Sequence, residues 1–231
     1  MRQATRISVI IPVLNEGKNI NHLIEHLRNL PGGRKLEIIV ADGSPEKDTL
    51  KAIRYTDIKK VSSDTGRGIQ MNTGASRAEG DILLFLHADT LLPDNGPGLI
   101  ISALDDPEIA AGAFDLEFIR VSPIISILVP LHNWMRRVSK TPYGDQAIFI
   151  RRSVFRKLGG FREIKLFEDM DLMKRLGKGG YRIRILRERV RTSARNFNER
   201  GPLRTLGRNI FIVGLYHMGV HPDRLAGLYR K

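Results

Sequence analysis

The feature that most constrains the fold of this chain is a set of short, almost uninterrupted apolar segments within its first 90 residues. Segments 6–13, 36–41 and 82–86 read RISVIIPV, LEIIVA and ILLFL. They are too short for typical helices, and such runs are typical of strands covered on both faces. Residues 17–30 instead carry apolar side chains at helical spacing. Strands that alternate with helices predict an α/β fold with a mainly parallel sheet between two helical layers.

The next elements continue this alternation, and nothing indicates a second domain. A polar helix is expected to run through Tyr55, followed by a short strand near 58–62 and a helix over 68–79. Residues 1–231 contain no internal repeat, low-complexity tract or long linker. The chain is long enough to bury a core of its own, so we expect a single domain.

The composition and the lengths of the apolar segments bear on the cellular location of the protein. The absence of cysteine excludes disulfides and thiolate metal sites, and it favours a cytosolic location. The N-terminus lacks the pattern of a signal peptide. The best candidates for a membrane span, 121–131 and 210–220, are much shorter than the ~20 apolar residues that a span requires. We therefore expect a cytoplasmic protein without a transmembrane helix.

The net charge indicates the class of partner. The 38 basic and 25 acidic residues give +13, which favours nucleotide phosphates, nucleic acid or an anionic membrane surface. Nucleic acid is the least favoured of these, because no nucleic-acid-binding motif is present and aromatic residues make up only 6% of the chain.

Each early strand segment ends in a polar cluster. The clusters are NEG at 15–17, DGS at 42–44 and HAD at 87–89. Ligands of open α/β sheets bind at the carboxyl ends of the strands, so three such clusters are expected to meet in one cleft. Ordinary turns would use the same residue types, but the set of three favours a site. A dinucleotide site is not favoured, because no Gly-x-Gly-x-x-Gly follows the first strand.

At this point the sequence resembles a known family. The segments SVIIPVLNE, VADGSPEKDT, GRGIQMNTGASRAEGDILLFLHADT, GGF and FEDMDL occur in an order similar to that of the family 2 glycosyltransferases, which have the GT-A fold. The segments FLHADT, GAFDLEF and PYGDQAIFIRR further resemble those of a bacterial subgroup of small, single-domain members. The resemblance implies a nucleotide-sugar-binding half at about 1–119 and an acceptor half with C-terminal helices at about 120–231.

The resemblance also implies a nucleotide-sugar site. Carboxylates suit a base edge or a ribose, which offer N–H and O–H donors. Position 41 is Ala where the family often has a second acid, so the choice between a UDP-sugar and a GDP-sugar stays open. The residues implied are Pro12, Asn15, Glu16, Asp42, Arg67, His87, Ala88 and Asp89.

A divalent metal is the implied cofactor, because the departing diphosphate develops negative charge. The family motif is Asp-x-Asp, and here its first position is His87 while its last, Asp89, is retained. We expect Asp89 and His87 to be the metal site, for Mg²⁺ or Mn²⁺, with imidazole giving some weight to Mn²⁺. A locally hydrogen-bonded histidine is the alternative for His87.

The catalytic base is expected in the acceptor half. The resemblance assigns Asp169 of FEDMDL as the base that deprotonates the acceptor hydroxyl in a single inverting displacement. Helix capping is the alternative for at least one acid of this motif. Asp145 is the reserve base, and it is expected to contact donor sugar or acceptor together with Gln146 and Glu168. Arg195 and Arg200 are candidates for the diphosphate, with a charged surface turn as the alternative.

Two competing functions and one further partner follow from the sequence. A nucleotidyltransferase would need a basic, Gly-rich loop after the first strand, and a non-enzymatic module would only bind anions or membranes.

Segments 118–137 and 204–219 are apolar with basic flanks, which suggests a peripheral enzyme with a lipid or other apolar acceptor. Core helices or an oligomer interface are the alternatives. Since Pro123 and Pro130 bracket IISILV, that stretch is expected to be at most a short helix.

Overall fold

The computed structural model of the protein describes residues 5–230, except the side chains of Asn196, Asn198, Arg200 and Arg230. Within that range the strands are β1 (Ile7–Val13), β2 (Glu37–Asp42), β3 (Lys59–Ser62), β4 (Ile82–Phe85), β5 (Thr90–Leu91), β6 (Ile109–Ile119), β7 (Phe149–Arg151) and β8 (Arg182–Ser193). The helices are α1 (Ile20–Asn29), α2 (Asp48–Ala52), α3 (Arg67–Ser76), α4 (Gly96–Asp105), α5 (Pro123–Ser139), α6 (Arg152–Lys157), α7 (Glu168–Lys178), α8 (Arg195–Arg200), α9 (Pro202–His217) and α10 (Pro222–Arg230). The predicted early strands and helices are all confirmed, with the helices shorter by a few residues.

The strands form one sheet in the order β3-β2-β1-β4-β7-β6-β8-β5. The first four are parallel, as their continuous apolar sequences predict. β7 is antiparallel to both neighbours, β4 and β6, whereas β6 and β8 are parallel. The α/β fold is therefore confirmed, with a sheet that is mixed in its second half. Because β7 lies between β4 and β6, the two expected halves of the domain share one sheet.

Apolar side chains pack on both faces of this sheet. One core lies under α1 and α4, and the other lies under α3, α6 and α7. A third, smaller cluster joins the start of α7 to α9 and α10 through Phe167, Met170, Ile212 and Leu225. No helix among residues 5–230 has the length and apolar character needed to cross a bilayer.

The expectation of a short helix at 123–130 is wrong. α5 continues for 17 residues, and Pro130 lies inside it. Proline removes one backbone donor from the helix, but contacts before and after it keep both parts in place. Ile125 is buried, and Asn133 accepts a hydrogen bond from the Leu116 nitrogen and donates one to the Leu116 oxygen, both at 2.9 Å. The side chain of Asn133 therefore acts as an additional partner for strand β6.

The second apolar segment forms α9, which is only partly a core helix. Ile212 is buried in the third cluster, whereas Ile210 and Phe211 are 65% and 61% exposed. One face of α9 therefore packs against the domain, and the other presents apolar side chains at the surface.

Candidate active site

The three polar clusters lie together at the carboxyl ends of β1, β2 and β4, as predicted. β1 pairs with both β2 and β4 in parallel, so the segments that follow Val13, Asp42 and Phe85 leave the sheet side by side. Pro12 lies in β1 opposite Ala41 of β2. Asn15 has a φ of 59°, a left-handed conformation that asparagine tolerates better than most residues.

Gln70 of α3 holds two of these strand ends together. Its Nε2 donates to the carbonyl of Val13 at 2.6 Å and to that of Ala41 at 3.1 Å. Gly43 makes room for this side chain, since a Cβ there would lie 2.8 Å from the Gln70 Cδ atom. Sequence reasoning missed Gln70. The available signal was an amide side chain on the buried face of α3, one turn before Gly74.

The predicted nucleotide residues have different surroundings. Asp42 is fully buried, and its two carboxylate oxygens accept from the backbone nitrogens of Ser44 at 2.8 Å and Leu50 at 3.3 Å. Its carboxylate thus orders the loop after β2, and direct contact with a nucleotide stays a prediction. Glu16 follows β1 and accepts from the Arg195 guanidinium at 3.3 Å. The structure therefore brings Arg195 to the end of β1, whereas the side chain of Arg200 lies outside the described residues.

Asp89 lies beside this pair. Burial raises the pKa of its carboxyl, the charge of Glu16 raises it further, and Arg195 opposes both effects. Ala88 before it is buried. The backbone oxygen of Asp89 accepts from the Ser193 nitrogen at 3.2 Å, which attaches this loop to the end of β8. Predicted nucleotide, metal and diphosphate residues therefore occupy neighbouring positions.

His87, Arg67 and Glu168 form a second group. The Arg67 Nε atom lies 2.6 Å from a Glu168 oxygen, and one of its terminal nitrogens lies 3.4 Å from the His87 Nε2 atom. Burial and then the charge of Arg67 lower the pKa of His87 to about 3, so the imidazole is neutral at physiological pH. The Glu168 carboxylate is only 2% exposed and raises the pKa of Arg67. A neutral His87 accepts a hydrogen bond at Nε2, which is the local role named as its alternative.

Asp169 faces the loop before β7. Its Oδ2 accepts from the Gly144 nitrogen at 2.5 Å, and its Oδ1 accepts from the Met170 nitrogen at 2.7 Å. A Cβ at Gly144 would lie 3.2 Å from that Oδ2 and 3.3 Å from the His87 Nε2 atom. Asp169 therefore lies close to the strand-end cluster. The third acid of this motif, Asp171, instead forms ion pairs with Arg175 and Arg162.

Asp145 has a carboxylate oxygen without a protein partner in the described part of the chain. Its Oδ1 atom is buried and has no hydrogen-bond partner among the described residues. Burial and the neighbouring charge of Asp169 raise its pKa to about 7. Gln146 differs from it, because its fully buried amide donates to the Phe114 carbonyl at 2.8 Å and accepts from the Tyr143 nitrogen at 3.1 Å. A contact of Gln146 with sugar or acceptor stays a prediction, and its amide anchors the loop that carries Asp145.

Two non-glycine residues with positive φ flank these carboxylates. Ala147 follows Gln146 with a φ of 50°, and Phe167 precedes Glu168 with a φ of 66°. Such conformations cost about 1–3 kcal/mol each and concentrate at functional sites. The Phe167 ring packs against Tyr216 of α9 at 4.7 Å between centroids, which holds the start of α7 in this position.

The residues present fit a divalent metal in part. No group of three or more His, Asp or Glu side chains among the described residues is arranged to hold an ion. Asp89 offers oxygen ligands beside Glu16, and Asp145 has an unpartnered buried oxygen. The Nε2 atom of His87 is directed at Arg67. A hard cation at this edge would therefore take oxygen ligands from Asp89 and complete its shell with diphosphate oxygens and water.

Solved structures of similar fold identify the fold class of this chain. The mannosyltransferase PcManGT from Pyrobaculum calidifontis, solved with GDP-Man and Mn²⁺, has a TM-score of 0.67 at 20% identity and covers 99% of this chain and 69% of its own. S. aureus TarS 1–349, solved with UDP-GlcNAc, has a TM-score of 0.60 at 17% identity and covers 81% of this chain and 58% of its own. The fold is that of the GT-A glycosyltransferases.

Sequence similarity then gives the family. The glycosyl transferase family 2 profile matches residues 8–159, so the chain belongs to glycosyl transferase family 2. The probable glycosyltransferase YdaM of Bacillus subtilis (strain 168) is 27% identical over 80% of this chain and 50% of its own length. The dolichol-phosphate mannosyltransferase of Pyrococcus furiosus is 32% identical over 47% of this chain and 33% of its own. The chain spans half or less of the length of the curated relatives it matches.

Proposed function

We propose that this family member is an inverting, metal-dependent transferase that moves one sugar from a nucleoside diphosphate sugar to an acceptor hydroxyl. The observation that carries the proposal is the position of Asp169. It lies beside Gly144, which also borders the His87 ring in the strand-end cluster, and it is held by two backbone N–H groups. Those hydrogen bonds hold the carboxylate in one orientation, which a positioned base requires.

In the proposed reaction, the acceptor oxygen forms a bond to the anomeric carbon while the bond from that carbon to the diphosphate oxygen breaks. Asp169 takes the acceptor proton as this happens, so no covalent sugar–enzyme intermediate forms and the anomeric centre inverts. We assign Arg195 and Arg67 to the diphosphate oxygens, because their guanidinium groups lie near Asp89 and His87. When bound, a divalent metal would neutralise charge on the leaving diphosphate.

The donor and acceptor are proposed by class. Similar structures contain UDP, UDP-GlcNAc or GDP-Man, which supports a UDP-sugar or GDP-sugar as donor. The acceptor proposed is an alcohol on a lipid, because apolar helix faces of α5 and α9 are exposed in the acceptor half. A cytoplasmic enzyme that associates peripherally with the inner face of the cell membrane would meet such an acceptor.

The test is a binding and product assay on the purified chain. UDP-, GDP- and dTDP-sugars are titrated with and without Mn²⁺ or Mg²⁺, and the products of slow donor hydrolysis are identified. A transferase releases nucleoside diphosphate, whereas a nucleotidyltransferase forms or consumes pyrophosphate. An anion-binding module would release neither and would show no preference among the bases. Either of the last two results would contradict the proposal.

A further inference from the structure

The exposed face of α5 carries a continuous apolar stripe. Its members recur at intervals of three and four residues, and each is between 47% and 76% exposed: Ile124, Ile127, Leu131, Trp134 and Val138. The opposite face, which includes the buried Ile125 and Asn133, packs on β6 and β8. A helix at the surface of a globular protein normally presents polar residues to water. A contiguous exposed apolar stripe therefore marks an interaction surface.

Exposed cations adjoin this stripe. A groove of about 760 Å³ begins at Ser139 and Lys140, immediately after Val138, and continues between α7 and β8. We call its exposed cations the basic groove: Lys140, Lys174, Lys178, Arg182 and Arg184. Farther along β8, Arg187 and Arg189 lie near Asp115, which also pairs with Arg137 of α5 at 3.6 Å. The apolar stripe is therefore bordered by positive charge.

We infer that α5 docks on an anionic lipid bilayer, with the apolar stripe in the interface and the basic groove facing headgroup phosphates. Apolar residues flanked by lysine and arginine are the combination that binds such interfaces. A second copy of the chain is a poorer occupant, because it would bring another +13 of net charge against the same cations.

The position of the docking surface also fits a lipid-borne acceptor, a step that rests on the proposed function. The ring of His132 on α5 stacks on Tyr143 at 5.7 Å between centroids. Tyr143 precedes Gly144, whose nitrogen donates to Asp169. Tyr143 also packs against the third core cluster, which includes Ile212 of α9. An acceptor held at this surface would thus lie near the proposed base.

The test is co-sedimentation of the full chain with vesicles of phosphatidylglycerol and phosphatidylcholine, compared with phosphatidylcholine alone, at about 0.01 M and 0.15 M ionic strength. We expect binding to the anionic vesicles that weakens with salt. Ile127→Ser with Trp134→Ser should reduce affinity at least about tenfold, because interfacial binding scales with the apolar area inserted. Lys174→Ala with Lys178→Ala should reduce it about fivefold per charge removed.

A matched control separates local from total charge. The control variant, Lys51→Ala with Arg54→Ala, removes the same charge from exposed positions in and just after α2. These positions lie toward the β3 edge of the sheet, whereas α5 packs near the other edge. The control should leave vesicle affinity within about twofold of that of the unmodified protein. Equal loss in both cation variants, binding unchanged by the stripe variant, or no sedimentation at either salt concentration would overturn the inference. A dimer that the stripe variant converts to a monomer, without vesicle binding, would assign the face to a second copy instead.

Nucleotide-sugar binding in vesicle-free buffer keeps this result distinct from the proposed function. The stripe variant should bind donor as the unmodified protein does, because the stripe lies outside the strand-end cluster. If the unmodified protein binds donor but does not bind vesicles, the docking inference alone is overturned. If the unmodified protein binds no donor but binds vesicles, and the variants reduce this binding as stated, docking is supported. Only the transferase proposal is then contradicted.

Discussion

At the scale of single residues, the site contains carboxylates with different tasks. Asp42 orders a loop and Asp171 forms ion pairs, whereas Asp145 lies close enough to Asp89 and Asp169 for their charges to affect it. The difference comes from their surroundings rather than from their residue type. Each of the last three residues supports a separate prediction.

Asp169→Asn should leave nucleotide binding intact and reduce sugar transfer by about 10²–10⁴-fold, the usual contribution of a general base. The amide keeps the shape of the side chain but cannot take the acceptor proton. Steady-state transfer and donor titration measure the two effects separately. Asp171→Asn, two residues along the same helix, is the matched control and should affect stability rather than transfer. Near-normal transfer in the Asp169 variant would make it only a structural residue and would direct attention to Asp145.

Asp89→Ala should abolish metal-dependent nucleotide binding, whereas His87→Ala should weaken it less. Asp89 has carboxylate oxygens beside Glu16, but the His87 Nε2 atom is directed at Arg67. Titration of nucleotide with and without Mn²⁺ measures the metal-dependent part of the affinity. Equal affinity under both conditions in the unmodified protein would refute the metal site.

Asp145→Asn should stabilise the ligand-free protein more at pH 8 than at pH 5. The pKa of Asp145 is raised to about 7 by burial, so between about pH 4 and 7 the folded state holds a proton that the unfolded state has lost. Stability therefore falls as pH rises through this window, and the amide removes that loss. We expect a difference of about 1–3 kcal/mol between the two pH values, measured by urea unfolding with chelator present. Asp64→Asn, at an exposed position, controls for the loss of one charge. An identical effect of Asp145→Asn at both pH values would contradict the assignment.

At the scale of elements, close packing places α3 against the segment before α7. A Cβ at Gly68 would lie 2.8 Å from the Arg162 carbonyl oxygen. Gly68 therefore permits close contact between two parts of the protein. The Arg67–Glu168 ion pair spans the same contact.

Gly68→Ala should destabilise the fold by about 1–3 kcal/mol, because backbone on the opposite side must move. It should also reduce donor affinity, since it displaces Arg67 from Glu168. Gly177→Ala in α7 is the matched control. Its added Cβ meets nothing within 4 Å, so it should stabilise the helix by about 0.5–1 kcal/mol. Thermal and urea unfolding measure both changes, and a neutral Gly68→Ala would show that this contact is loosely packed.

At the scale of the whole molecule, the two expected halves depend on each other. β7 pairs with β4 of the first half and with β6, and one core combines Leu84 with Phe149 and Val190. We expect a single cooperative unfolding transition. Far-UV circular dichroism and the fluorescence of Trp134, the one tryptophan, should therefore change at the same urea concentration. Separate midpoints would show that the halves unfold independently.

The sequence by itself determined the early elements and the end of the sheet at which the polar clusters lie. The apolar segments that end at Val13, Asp42 and Phe85 specify parallel strands, and the polar residues after them must emerge together. This information is local, since periodicity and turn chemistry act over a few residues. The order of the family motifs also sufficed to predict membership of glycosyl transferase family 2.

Only the tertiary structure decided which side chains meet. Glu16 and Arg195 are 179 residues apart in sequence, and no local pattern indicates that they pair. The contacts of Gln70 with two strand ends, and of Arg67 with His87 and Glu168, likewise depend on the packing of α3 and α7 on the sheet. The continuation of α5 through Pro130 has the same origin. The burial of Ile125 and the hydrogen bonds between Asn133 and β6 outweigh the local tendency of proline to end a helix.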